Sequence, residues 1–87
     1  MSDELLGNQG AFGRIQVLRG PEETEALING QIFMRWANVD EAAERMVIVQ
    51  MYETGKGTQE EIAVAFGVHV NSVYNYINSY KADGTLG

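Results

Sequence analysis

Two different periodicities follow one another along this chain. Before Asn38, apolar residues come in short extended runs. Ile15 and Val17 alternate with Gln16 and Leu18 in the period-2 pattern of a strand. Gly20-Pro21 breaks that run. Ala26-Leu27-Ile28 and Gln31-Ile32-Phe33 then flank Asn29-Gly30. Asn-Gly between two apolar runs predicts a type I′ hairpin, because that turn needs positive φ at both central residues. The expected hairpin spans Thr24 to Arg35, with Arg14–Leu18 as a third strand. So small a sheet needs a partner to pack on. The helical half, reached through Ile32, Met34 or Trp36, is the expected one.

From Asn38 the period becomes helical. Asn38 stands three residues ahead of Glu41 in the manner of a capping box, with Asp40 as the rival N-cap. Ala42, Arg45-Met46, Val49 and Tyr52 trace one helical face, which Val47 and Ile48 widen. Gly55 is the natural C′ residue. Thr58-Gln59-Glu60-Glu61 is a full capping box and opens a second helix whose inner face is Ile62, Ala63 and Phe66. Gly67 stops it. A third helix is expected over 70–81, with Val73, Tyr76, Ile77 and Tyr80 turned inward.

Two short helices joined by a tight glycine turn form a helix-turn-helix. Ala63 is small where the helices would cross, and Gly67 stands where the backbone must turn with positive φ. Val68 plugs the gap behind the turn, while Val73, Ile62 and Phe66 supply the interface. The predicted fold is α+β: a C-terminal three-helix helix-turn-helix unit preceded by a small antiparallel β-hairpin or three-stranded sheet. It divides into a lead-in at 1–11, a β subdomain at 12–37, a helical domain at 38–82 and the start of a linker at 83–87.

Composition narrows the function. The chain has 87 residues, 45% of them apolar, which suits one small globular domain with a modest core. It has no cysteine, so neither disulfides nor thiolate metal sites support it. The opening MSDELLGNQG carries acids where a secretory signal would carry basic residues. The longest apolar run, Met46 to Tyr52, is far too short to span a bilayer. No membrane partner, cofactor, metal ligand set or catalytic residue is expected. Gly55-Lys56-Gly57-Thr58 suggests a phosphate loop only superficially, since that motif needs Ser or Thr at 57, which is Gly. Twelve acids against six Lys and Arg give a net charge of −6, whereas affinity for nucleic acid usually rests on basic residues.

The segments Glu44–Gly55, Thr58–Val68 and Val73–Ile77, with the closing Tyr80-Lys81-Ala82-Asp83-Gly84-Thr85-Leu86-Gly87, resemble the N-terminal helix-turn-helix domains of bacterial insertion-sequence transposases, which are homeodomain-like. The resemblance implies double-stranded DNA as partner, the bacterial cytoplasm as location, and transposition, a DNA recombination, as the process served. It further implies a catalytic domain later in the parent chain, of which this sequence would be a fragment, or a protein that has lost its enzyme. Two positions depart from the family pattern. His69 stands where Ser or Thr usually caps the third helix, and that helix lacks the family's frequent Arg and Lys.

In a helix-turn-helix the third helix enters the major groove with its N-terminal end first. The base-reading candidates are therefore His69, Asn71, Ser72, Tyr74, Asn75 and Asn78. Asn can pair bidentately with adenine, and Ser and Tyr hydroxyls can reach phosphates. Arg45, Lys56, Thr58 and Lys81, around the helix ends, are the phosphate candidates. The acidic charge keeps a second reading open: a protein-interaction or dimerisation module, or a transcription regulator, built on the same fold. A homodimer is compatible with either.

Overall fold

A computed structural model describes residues 14–83 of the chain, and the expected lead-in at 1–11 and linker residues 84–87 lie outside them. Three strands precede three helices: β1 (Ile15–Arg19), β2 (Glu23–Ile28), β3 (Gln31–Ala37), α1 (Glu41–Glu53), α2 (Gln59–Phe66) and α3 (Val70–Asp83). The strands form one antiparallel sheet in the order β1-β2-β3. The β2–β3 hairpin turns at Asn29 (φ 53°) and Gly30 (φ 83°), both left-handed as a type I′ turn requires, and Ile28 faces Gln31 across it. It is longer than the expected Thr24–Arg35, because pairing continues to Glu23 and Ala37.

The inner face of the sheet carries Ile15, Val17, Thr24, Ala26 and Trp36. Of the three residues expected to hold the sheet on the helices, only Trp36 is buried; Ile32 and Met34 are exposed. The register shift beside Ala26/Leu27 explains part of this. An extra residue in β3 breaks the strict alternation, so half-buried Phe33 packs on the core where the simple pattern would put its neighbours. Thr24 is buried and polar; its hydroxyl donates to Asn38 Oδ1 (2.6 Å), and Asn38 Nδ2 donates to the Gly20 carbonyl (2.8 Å). Asn38 is therefore a clamp on the β1–β2 turn, not the start of a capping box. Asp40 caps α1, its Oδ1 accepting from the Ala43 N–H at 3.0 Å.

The buried residues of α1 are Val47, Ile48, Val49 and Met51. Ala42, Arg45 and Met46, expected on the inner face, are exposed, and Tyr52 is half-buried. The expected stripe assumed one packing partner. The helix has three, namely α2, α3 and β3, and so buries a wider and differently centred arc.

One glycine permits a close approach and another a left-handed turn. A Cβ on Gly57, in the α1–α2 turn, would stand 2.6 Å from Ile15 Cδ1, so its bare backbone is what lets β1 sit against that turn. Gly67 ends α2 at φ 72°, ψ 31°, with the Val68 N–H returning to the Ala63 carbonyl (3.0 Å). Thr58 and Glu61 close both halves of their capping box (3.1 and 2.9 Å). Ile62, Ala63, Phe66 and Val73 are all buried and Val68 packs behind the turn, as the motif demands. Tyr80 departs from expectation: it is exposed, and α3 runs on past it to Asp83.

The sheet joins the helices at a polar junction. Arg19, ending β1, donates twice to the Glu44 carboxylate of α1 (3.0 and 3.1 Å) and once to the Phe66 carbonyl at the end of α2 (2.9 Å). Glu44 also accepts from Trp36 Nε1 at 3.2 Å. The Trp36 ring stacks on Phe66, centroids 6.1 Å apart and planes 16° from parallel. The hydrogen bonds from Arg19 hold the Glu44 carboxylate below the usual carboxylate range, against the opposing effect of partial burial, while Arg19 stays charged throughout.

Because nothing lies within 4 Å of a Cβ at Gly67, the cost of substitution there is backbone strain alone. Thermal melts should rank Gly67→Asn mildest, Gly67→Ala about 1–2 kcal/mol destabilised and Gly67→Val worse, since Asn tolerates the left-handed region and a β-branched residue does not. Equal melts for Val and Asn would contradict this turn geometry.

The depressed Glu44 carboxyl contributes stability that is complete above the ordinary carboxylate range and is lost as acid protonates it below that range. Glu44→Gln should cost about 1–2 kcal/mol near neutral pH, a figure already reduced for the half-exposed Arg19. Urea unfolding of wild type and variant should converge as pH falls from about 5 to about 2. A gap that persists in acid would show that the ion pair is not its source.

Candidate nucleic-acid interface

α3 presents the residues that the sequence singled out. Asn71, Tyr74, Asn75 and Asn78 recur at i, i+3, i+4 and i+7, and all four are exposed. The opposite side of the helix, through Val73 and Ile77, is fully in the core, with Val70 and Tyr76 packed beside them. This division follows from the sequence, since the apolar residues of α3 share one face and the amides share the other. Ser72 falls between the faces and is half-buried, so it stands aside from the stripe that the amides form. The outward stripe is entirely neutral: three carboxamides and one phenol, each able to donate or accept a hydrogen bond.

His69 is exposed at the entry to α3 and performs the cap that Ser or Thr would otherwise supply. Its Nδ1 accepts from the Asn71 N–H at 3.1 Å. Its carbonyl accepts from the N–H groups of Ser72 (2.9 Å) and Val73 (3.4 Å). Sequence reasoning saw an unusual turn residue here. The capping geometry became visible only once the ring was placed two residues ahead of an otherwise orphan helical N–H.

The phosphate candidates are not gathered in one place. Thr58 and Lys81 line a shallow depression together with Tyr52, Glu53, Gln59, Glu60 and Val70, where the start of α2 approaches α3. Tyr52, Gln59 and Val70 were readable from sequence only as core or helix-end residues, because their meeting depends on how α1, α2 and α3 cross. Lys56 instead borders a depression against the hairpin, beside Asn29, Gln31 and Phe33. Arg45 lies over the Tyr76 ring (5.8 Å to its centre) and pairs with Glu41 at 3.5 Å.

Electrostatics sharpens the charge problem. All four arginines are engaged by acids: Arg14 with Glu61, Arg19 with Glu44, Arg35 with Glu25 and Arg45 with Glu41. Among the described residues the two lysines, Lys56 and Lys81, are the basic side chains that show no ion pair, and Lys81 shares its depression with Glu53 and Glu60. What the arrangement offers a partner is therefore directional hydrogen bonding from α3, with little field to attract polyanions.

The profile of the homeodomain-like domain family matches residues 40–87, which takes in all three helices. No curated protein and no solved structure matches the chain.

The cap at His69 can be isolated in a stability measurement. His69→Ala should lose about 1 kcal/mol, while His69→Asn should melt at or above the wild-type temperature, because Asn is among the best N-caps. An alanine variant as stable as wild type would mean that the imidazole does not cap α3.

Proposed function

The chain belongs to the homeodomain-like domain family, and we propose that it is a sequence-specific DNA-binding module that lays α3 in the major groove. One observation carries this reading. On the outward face of the third helix of an intact helix-turn-helix, Asn71, Tyr74, Asn75 and Asn78 stand in one exposed stripe. Homeodomain-like helix-turn-helix domains bind DNA through that helix. Carboxamides are the side chains whose paired donor and acceptor match the N6 and N7 edge of adenine. Tyr74 and Ser72 hydroxyls, with Thr58 and Lys81 at the start of α2 and the end of α3, would meet the backbone on either side.

The resemblance of its helices to insertion-sequence transposases supports a finer reading: the module delivers a transposase-like protein to the ends of its element, with chemistry performed elsewhere. Because few cations are at liberty, affinity would be low for one copy. Tight binding would then come from two copies on neighbouring half-sites or from a second DNA-binding unit.

A second reading has one observation behind it. The arginines are all neutralised within the molecule, and the helical segment 39–87 carries seven acids against three basic residues. A protein-interaction module would need no more. No described helix is long and apolar enough to cross a membrane.

Fluorescence anisotropy at low salt separates the two. On a duplex selected from a random pool, Asn71→Ala and Asn75→Ala should each cost about 1–3 kcal/mol, and only on the selected sequence. Lys56→Ala and Lys81→Ala should weaken all duplexes alike and flatten a salt dependence that is already shallow, on the order of two to four counterions. Absence of binding to any duplex, with self-association or capture of a protein partner instead, would replace the DNA reading by the interaction-module reading.

A further inference from the structure

The hydrogen bond that caps α3 also determines what else His69 can do. A backbone N–H can only donate, so the Nδ1 atom that receives it from Asn71 at 3.1 Å must carry its lone pair. A neutral imidazole has one ring proton, and with Nδ1 occupied as acceptor that proton is on Nε2. The ring is exposed, and no other side chain among the described residues is hydrogen-bonded to it. Its free edge is thus a single N–H donor of fixed position, held at the end of α3 where the exposed amide stripe begins.

We propose that His69 is a specificity-determining residue with two divided roles: Nδ1 caps α3, and Nε2–H donates to a hydrogen-bond acceptor on the bound duplex. This rests on the DNA-binding reading and adds a polarity to it. The acceptor would be a base edge in the major groove: N7 or O6 of guanine, N7 of adenine or O4 of thymine. The exocyclic amino groups of adenine and cytosine, being donors in the major groove, would be rejected. The imidazole differs in this from the carboxamides of Asn71 and Asn75, which can serve donors and acceptors alike. His69 would also give the helix a rigid donor without a cation, which suits a surface whose arginines are all engaged in ion pairs.

Two neutral substitutions separate the roles in the full 87-residue chain. The amide oxygen of Asn can stand in for Nδ1, and the amide nitrogen of Gln can stand in for Nε2. His69→Asn should fold as stably as wild type but bind the selected duplex about 10-fold more weakly, the equivalent of one hydrogen bond of about 1.4 kcal/mol. His69→Gln should melt earlier yet lose less affinity than His69→Asn. Duplexes with a 7-deazapurine or a 4-thiothymine at one position identify the acceptor: the one His69 uses should weaken wild type while leaving His69→Asn unchanged, whereas that pattern from a single methylphosphonate would show a phosphate contact and overturn the specificity role. Long-range ¹⁵N–¹H correlation on the free protein should show the His69 proton on Nε2. A proton on Nδ1, or a His69→Asn variant that binds the selected duplex as tightly as wild type, would overturn this inference and leave the DNA reading standing. Failure of wild type to bind any duplex would overturn both.

Discussion

The sheet is fastened to the helices where Arg19 meets Glu44. The guanidinium closes a two-bond fork on the carboxylate and spends another donor on the Phe66 carbonyl, a group left without a partner by the end of α2. Glu44 takes the Trp36 indole N–H in addition, and the indole lies flat on Phe66. One arginine thus binds β1, α1 and the last residue of α2 together, one residue before the Gly67 turn that aims α3. The sheet and the helices bury their apolar residues in one shared cluster.

Most of this architecture was legible from local chemistry, and the exceptions have a common cause. Asn29-Gly30, Thr58 with Glu61, Gly67 and the Ile62/Ala63/Phe66/Val73 set act over a few residues, and the backbone obeys them. What pattern reading misplaced depends on neighbours distant in sequence. The inner face of α1 was mis-centred because three elements pack on it. Trp36 and Phe33 pack on the helices as their aromatic character suggests, while Ile32 and Met34 stay exposed, because one extra residue in β3 leaves no mark in composition. Asn38 looked like a helix cap and turned out to tie a strand turn. The Arg19–Glu44 pair spans 25 residues and carries no sequence signal.

The interface divides in the same way. The amide stripe of α3 could be read as a helical face, and the structure exposes it as such. The phosphate candidates could not be assembled from sequence, since Arg45 is turned onto Tyr76 and Lys56 lies toward the hairpin. The net charge of −6 is compounded by pairing, because all four arginines face acids within the fold. A surface of this kind gains discrimination from hydrogen bonds more readily than it gains affinity from charge, which is why multiplicity of binding units accompanies the DNA reading.

The central claim, that the outward face of α3 is the recognition surface, is open to direct mapping. Amide and side-chain NMR shifts of the full chain should be followed during a low-salt titration with a random-sequence duplex. Changes should concentrate at His69, Asn71, Tyr74, Asn75 and Asn78, with smaller ones at Thr58 and Lys81 and none on the outer sheet face at Leu18 and Ile32. Changes centred on Leu18 and Ile32 with α3 unmoved would contradict the claim.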